Sequence, residues 1–166
     1  MSPILTEYRA ITKFRRGHFS ATIRAGEIVV FDKAYVDFAH LHHLHQKGVI
    51  RVSRAKENVC FEVIGQQLSE EEMQQAQHMY EAGIFMGPQP TVLSDCRIKL
   101  TRDDTYAKYP DEIRMINACV LQNGKPCLMK FITNQFEWTA CSICELYLAM
   151  LGLADGIDRF EGSSPS

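Results

Sequence analysis

The stretch that most restricts what this chain can fold into is residues 27–58, EIVVFDKAYVDFAHLHHLHQKGVIRVSRAKEN. Ile28, Val29, Val30 and Phe31 form an apolar run between Gly26 and Asp32, the pattern of a short strand buried on both faces. From Tyr35 the apolar positions fall at Tyr35, Phe38, Leu41 and Leu44, a helical spacing with one core-facing side. Gly48 supplies a stop, because glycine tolerates the left-handed conformation that ends many helices. Val49, Ile50 and Val52 restart a strand with β-branched residues. Strand, helix and strand with short connections make a βαβ unit, which predicts two parallel strands. The unit delivers Asp32 to the tip of a buried strand, a position suited to metal-dependent chemistry on phosphates.

The strings that fill this unit carry a resemblance. FDKAYVDFAHL followed by KGVIRVSRAKEN resembles the second-aspartate region of the DDE transposases of bacterial insertion sequences (the IS four family). FITNQFEWTACSICELY resembles the segment that leads into that family's third catalytic residue. The matched blocks cover roughly residues 24–64 and 128–147, with weaker echoes at LSDCRIKL and YPDEIRMI.

The resemblance implies an α/β chain with an incomplete RNase H-like fold. Residues 1–23 form an N-terminal segment, 24–147 a partial catalytic domain with a β-rich insertion at 57–127, and 148–166 a divergent tail. It also implies the parent family's activity, DNA transposition. Three carboxylates hold two Mg²⁺ or Mn²⁺ ions, which activate the attacking oxygen and stabilise the leaving one. The implied partners are transposon-end DNA and a transposase homo-oligomer. Asp32 matches the family's second acid and is the candidate catalytic and metal-binding residue. Arg54 and Lys56 lie in the family's basic segment after the second strand and, with Arg51 within that strand, are the candidate DNA contacts. Asp37 belongs to the motif without being a metal ligand, and an aspartate at a helix start is accounted for by the helix dipole.

Departures from the family pattern limit what such a chain can do. The third acid belongs to a Y-x2-R-x3-E-x6-K pattern, and counting from Tyr147 those positions hold Met150, Ala154 and Glu161. Asp155 is one residue off, a rotation of roughly 100° on a helix. Only Glu7 and Glu27 precede Asp32 as acids, and neither has a matching context. One carboxylate cannot hold two metals. The expectation is a transposase fragment, inactive alone, or a catalytically dead module that binds DNA or an intact transposase as an inhibitor.

Charge separates along the chain. Residues 1–56 hold ten Lys/Arg against four Asp/Glu, a balance of +6, while residues 57–166 hold eight against sixteen, a balance of −8. The basic third includes Arg15, Arg16, Arg24, Arg51, Arg54 and Lys56, a set able to meet a phosphate backbone. No run of about 18 apolar residues suggests a membrane span, and the N-terminus lacks a signal-peptide core. The expectation is a cytoplasmic bacterial protein with reduced cysteines.

Beyond residue 57 the signals are shorter. Val59–Ile64 reads as a strand, and Ser69 with Glu72 as a capping box opening a helix toward Gly83. GPQP at 87–90 reads as a turn. Strands are expected near Arg97–Leu100 and over Ile113–Leu121, the latter pairing across Asn123-Gly124 with Leu128–Thr133 through a loop longer than two residues. His40, His42, His43 and His45 point to opposing sides of one helix and cannot close one tetrahedral metal site. Cys141-x-x-Cys144 has no second CxxC and reads as two small residues at a helix start.

Overall fold

A computed structural model describes residues 8–11, 24–31, 37–85 and 89–150. One end of its sheet is built on the predicted βαβ unit. Strand β2 (Ile28–Phe31) is buried at every position, helix α1 spans Phe38–Gln46, and strand β3 (Ile50–Arg54) runs parallel to β2. Strand β1 (Tyr8–Ile11) lies parallel to β2 on its other side. Helix α1 has nine residues, too short to persist alone in water. Burial of Phe38, Leu41 and Leu44 holds it, each contributing roughly 1.5–3 kcal/mol. Gly48 ends it at φ +83°.

The remaining strands form an antiparallel meander. They are β4 (Phe61–Gln66), β5 (Thr91–Leu100), β6 (Ile113–Gln122) and β7 (Lys125–Thr133). The single sheet has the order β1-β2-β3-β7-β6-β5-β4, with β7 antiparallel to β3. Residues 57–127 are therefore continuous with the βαβ unit in space: three of their strands extend its sheet. Asn134 fastens the junction, because its side chain accepts from Arg51 N (2.9 Å) and donates to Val49 O (2.8 Å).

Three helices complete the layers. Helix α2 (Glu70–Glu81) opens with the expected capping box, in which Ser69 Oγ accepts from Glu72 N (3.1 Å) and Glu72 Oε2 accepts from Ser69 N (2.8 Å). Short helix α3 (Asp103–Lys108) follows β5, where no sequence signal announces it. Helix α4 (Ala140–Met150) starts at Thr139, whose Oγ1 accepts from Ser142 N (3.1 Å). One apolar cluster joins α4 to Ile28, Val30, Val52, Ile116 and Phe131; the other joins α1 to Val29, Phe31, Ile98, Met115 and Ile132. Alternation along each strand divides the two clusters between the faces of the sheet.

Two expectations change in detail. The β6–β7 loop has two residues, not more, with Asn123 at φ +53° and Gly124 at φ +75°, as a type I′ turn requires. Strand β5 begins at Thr91, six residues before the apolar signal at Arg97. Its first half is only half-buried, so its side chains carry no clear period.

Candidate nucleic-acid interface

Strands β2 and β3 end side by side, with Phe31 paired to Ser53. From there the chain runs on toward Asp32, and β3 runs on through Arg54 into the turn at Lys56. Asp32, on which the catalytic and metal expectations rest, lies outside the described residues, as do Arg15, Arg16, Tyr35, Gly87, Pro88, Ala154, Asp155 and Glu161. Asp37 is described and holds the helix start: its Oδ1 accepts from Ala39 N (3.0 Å) and His40 N (3.4 Å), capping α1.

Two adjoining hollows open at this end of the sheet. The larger, about 940 Å³, lies between the sheet and α2, with Arg54, Lys56 and Lys130 on its wall and Leu93, Leu128 and Met129 among its apolar lining. Asn117 Nδ2 donates to Ser94 Oγ (2.7 Å) within it. The smaller, about 320 Å³, is bounded by Asp37, Lys56, Arg102 and Lys108. Lys56 and Asn58 line both. The combined surface carries five basic side chains, Arg54, Lys56, Arg102, Lys108 and Lys130, against the two carboxylates Asp37 and Glu57. Local sequence could not reveal this set, since β3, β7 and α3 bring it together from positions 54 to 130.

Of the three DNA-contact candidates, Arg54 and Lys56 stand on this surface, half-buried and exposed respectively. Arg51 does not. Strand alternation turns it toward α1, and its side chain is completely buried. Its guanidinium carbon lies 5.0 Å from the centroid of the Tyr109 ring, and none of its three side-chain nitrogens has a hydrogen-bond partner. A cation sealed under an aromatic ring does not face the basic surface on which Arg54 and Lys56 stand.

The histidines close over the same point. His45 stacks on Tyr109 with centroids 5.8 Å apart, and His42 lies 5.0 Å from that ring. His42 Nε2 is 2.9 Å from Asp111 Oδ2, and His45 Nε2 is 3.9 Å from the same oxygen. Burial lowers the pKa of His45, and Arg51 lowers it further. This arrangement latches α1 onto the loop after α3.

The metal expectation finds no fitting donor set among the described residues. No group of three His, Cys, Asp or Glu side chains there could hold a cation. Two described carboxylates lie five residues from Asp32 in the chain: Asp37 is engaged as a helix cap, and Glu27 accepts from Arg24 N (3.1 Å). The described thiols are free; Cys141 donates to Glu145 Oε1 (3.4 Å), and burial beside that carboxylate pushes its pKa up to about 11. Burial raises Cys144 well above the usual thiol range. Neither has the lowered pKa of a reactive cysteine. No described helix is long and apolar enough to cross a membrane.

No family model, curated protein or solved structure matches the chain.

Proposed function

We propose that this chain is a transposase-derived DNA-binding fold that holds the phosphate backbone along its basic hollow and lacks the carboxylates for cleavage. The observation that carries this reading is the grouping of Arg54, Lys56, Lys130, Arg102 and Lys108 around two joined hollows at the end of β2 and β3. Under the same reading, β2–α1–β3 is the part of an RNase H-like sheet that presents the second acid, Asp32. A lone acid at that place leaves two-metal strand transfer without its ligands, so binding is the function that remains.

Binding through phosphates releases counterions, which makes affinity fall steeply with salt. The test is fluorescence anisotropy of a short labelled duplex between about 50 and 200 mM salt. Lys56→Glu and Lys108→Glu are each expected to weaken binding and reduce the salt slope by about 1 or more, since each removes a phosphate contact and adds repulsion. Lys125→Glu, at the exposed β6–β7 turn, is the control and should leave both unchanged. Added Mg²⁺ should produce no nicking. Binding that ignores both hollow variants, or that shows no salt dependence, would overturn the proposal.

A further inference from the structure

Strand β4 closes the sheet at the end opposite β1 and pairs, among the described residues, only with β5. No residue of β4 is buried, and Val63 and Ile64 are 47% and 38% exposed. An edge of this kind presents unpaired N–H and C=O groups beside β-branched side chains, a template for a further strand. Natural edges are blunted by lysine or other charges, proline or a bulge; FEVIGQ has no lysine or proline, and its one charge, Glu62, and its bulge are the features that any pairing must accommodate.

We infer that β4 is a self-association edge, which a second copy of this chain joins by antiparallel β4–β4 pairing. The register follows from a bulge. Glu62 pairs with Lys99 and Gly65 with Arg97, with a register shift between Val63 and Gly65. Lys99 and Arg97 are two residues apart and share a face, so Glu62 and Gly65 also share a face although they are three apart. Phe61, Val63 and Gln66 pair with Leu100, Ile98 and Cys96 and take the other face.

A twofold axis between Val63 and Ile64 keeps the paired positions outside the bulge on matching faces: it sets Glu62 opposite Gly65 of the second copy and Phe61 opposite Gln66, with the bulge at the axis. Without the bulge, residues three apart would face opposite ways and this register would fail.

Charge makes this occupant specific. The Arg97 guanidinium lies across Gly65, so close that a Cβ there would come within 2.7 Å of it. Glu62 is exposed and has no ion-pair partner among the described residues. In the twofold pairing, Glu62 of each copy arrives at the other copy's Gly65, beneath its Arg97. Among the described residues Arg97 otherwise pairs with Glu112, at 3.5 Å. Two such cross pairs form per dimer, and the contact is isologous, so growth stops at two. Six residues per copy bury less than a stable interface needs, about 1,000 Å², so the dimer is expected to be weak.

The test is sedimentation velocity of the full chain over a concentration series, with circular dichroism confirming each variant's fold. The wild type is expected to move from monomer to dimer and plateau there. Ile64→Lys should hold it monomeric. Glu62→Arg and Arg97→Glu should each weaken association several-fold to tenfold, as attraction becomes repulsion at both cross pairs. The double exchange E62R/R97E should restore most of the loss. A wild type that stays monomeric, growth beyond two, indifference to Ile64→Lys, or a double exchange that fails to rescue would each overturn the inference. Self-association at this edge is independent of DNA binding, which uses the hollows.

Discussion

Among the described residues two arginines are buried in this sheet, one on each face, and they make opposite cases. Arg114 of β6 points toward α4, where Nε and a terminal nitrogen donate to the two oxygens of Asp95 (2.8 and 2.6 Å). Its other terminal nitrogen donates to Gln135 O (2.9 Å) and Trp138 O (2.6 Å). Arg51 of β3 points toward α1, is as deeply buried, and has Tyr109 beside it where Arg114 has a carboxylate. A buried charge is stabilising only when its donors are satisfied; otherwise desolvation is offset by little more than a cation–π contact worth about 2 kcal/mol. Burial alone does not say what an arginine contributes.

Arg114 also explains how the chain's separate segments are held together. Asp95 lies in LSDCRIKL, Arg114 in YPDEIRMI, and the two carbonyls in FITNQFEW, so one guanidinium joins all three. It fixes the loop that leads into α4. The largest expected effect follows. Arg114→Met should lower unfolding free energy by roughly 3–5 kcal/mol, because it leaves Asp95 buried and unpaired. Asp95→Leu should do similar harm, and the double replacement D95L/R114M should cost less than either alone. Urea unfolding at constant m reads this, and additive losses would show that the pair is not a coupled unit.

How far the sequence could anticipate these two centres depends on how local their signals are. The βαβ unit, the α2 capping box and the Asn-Gly turn are legible because each rests on neighbours within a few residues. Arg51 reads as a surface residue because it stands in a basic run with Arg54 and Lys56, yet strand alternation turns positions 51 and 54 to different sides. Its lid, Tyr109, comes from α3 and the following loop, which no periodicity announces. The basic hollow is half legible for the same reason: Arg54 and Lys56 are close in sequence, while Lys130, Arg102 and Lys108 join them only through the meander. Asp95 and Arg114 look like scattered charges, since nothing local marks two residues 19 apart in sequence as a buried pair.

The second effect is smaller and opposite in sign. Arg51→Met replaces an unsatisfied guanidinium with an apolar side chain of similar length. It should raise stability by about 1 kcal/mol or more, the desolvation penalty outweighing the lost contact with Tyr109. DNA binding and its salt slope should stay unchanged, which distinguishes Arg51 from Lys56. A destabilised Arg51→Met protein would mean that the Tyr109 contact outweighs the desolvation it accompanies, and the contrast between the arginines would collapse.

The smallest effect reads the electrostatics of the same spot. In the folded chain His45 has its pKa held below 6.5, first by burial and then by Arg51, with His42 acting the same way and Asp111 opposing. A histidine so depressed binds fewer protons folded than unfolded across the window from its folded pKa up to 6.5. Its contribution is therefore present above 6.5 and is lost as pH falls through the folded value. Arg51→Met removes one of the lowering influences and leaves burial in place. The His45 ring resonance should then titrate at higher pH than in the wild type but still below 6.5, and stability should fall less steeply on acidification. An unmoved His45 titration would mean that Arg51's charge is screened from the imidazole despite the shared Tyr109 ring. Burial, already the largest influence there, would then act without the arginine, and Arg51 would act on packing alone.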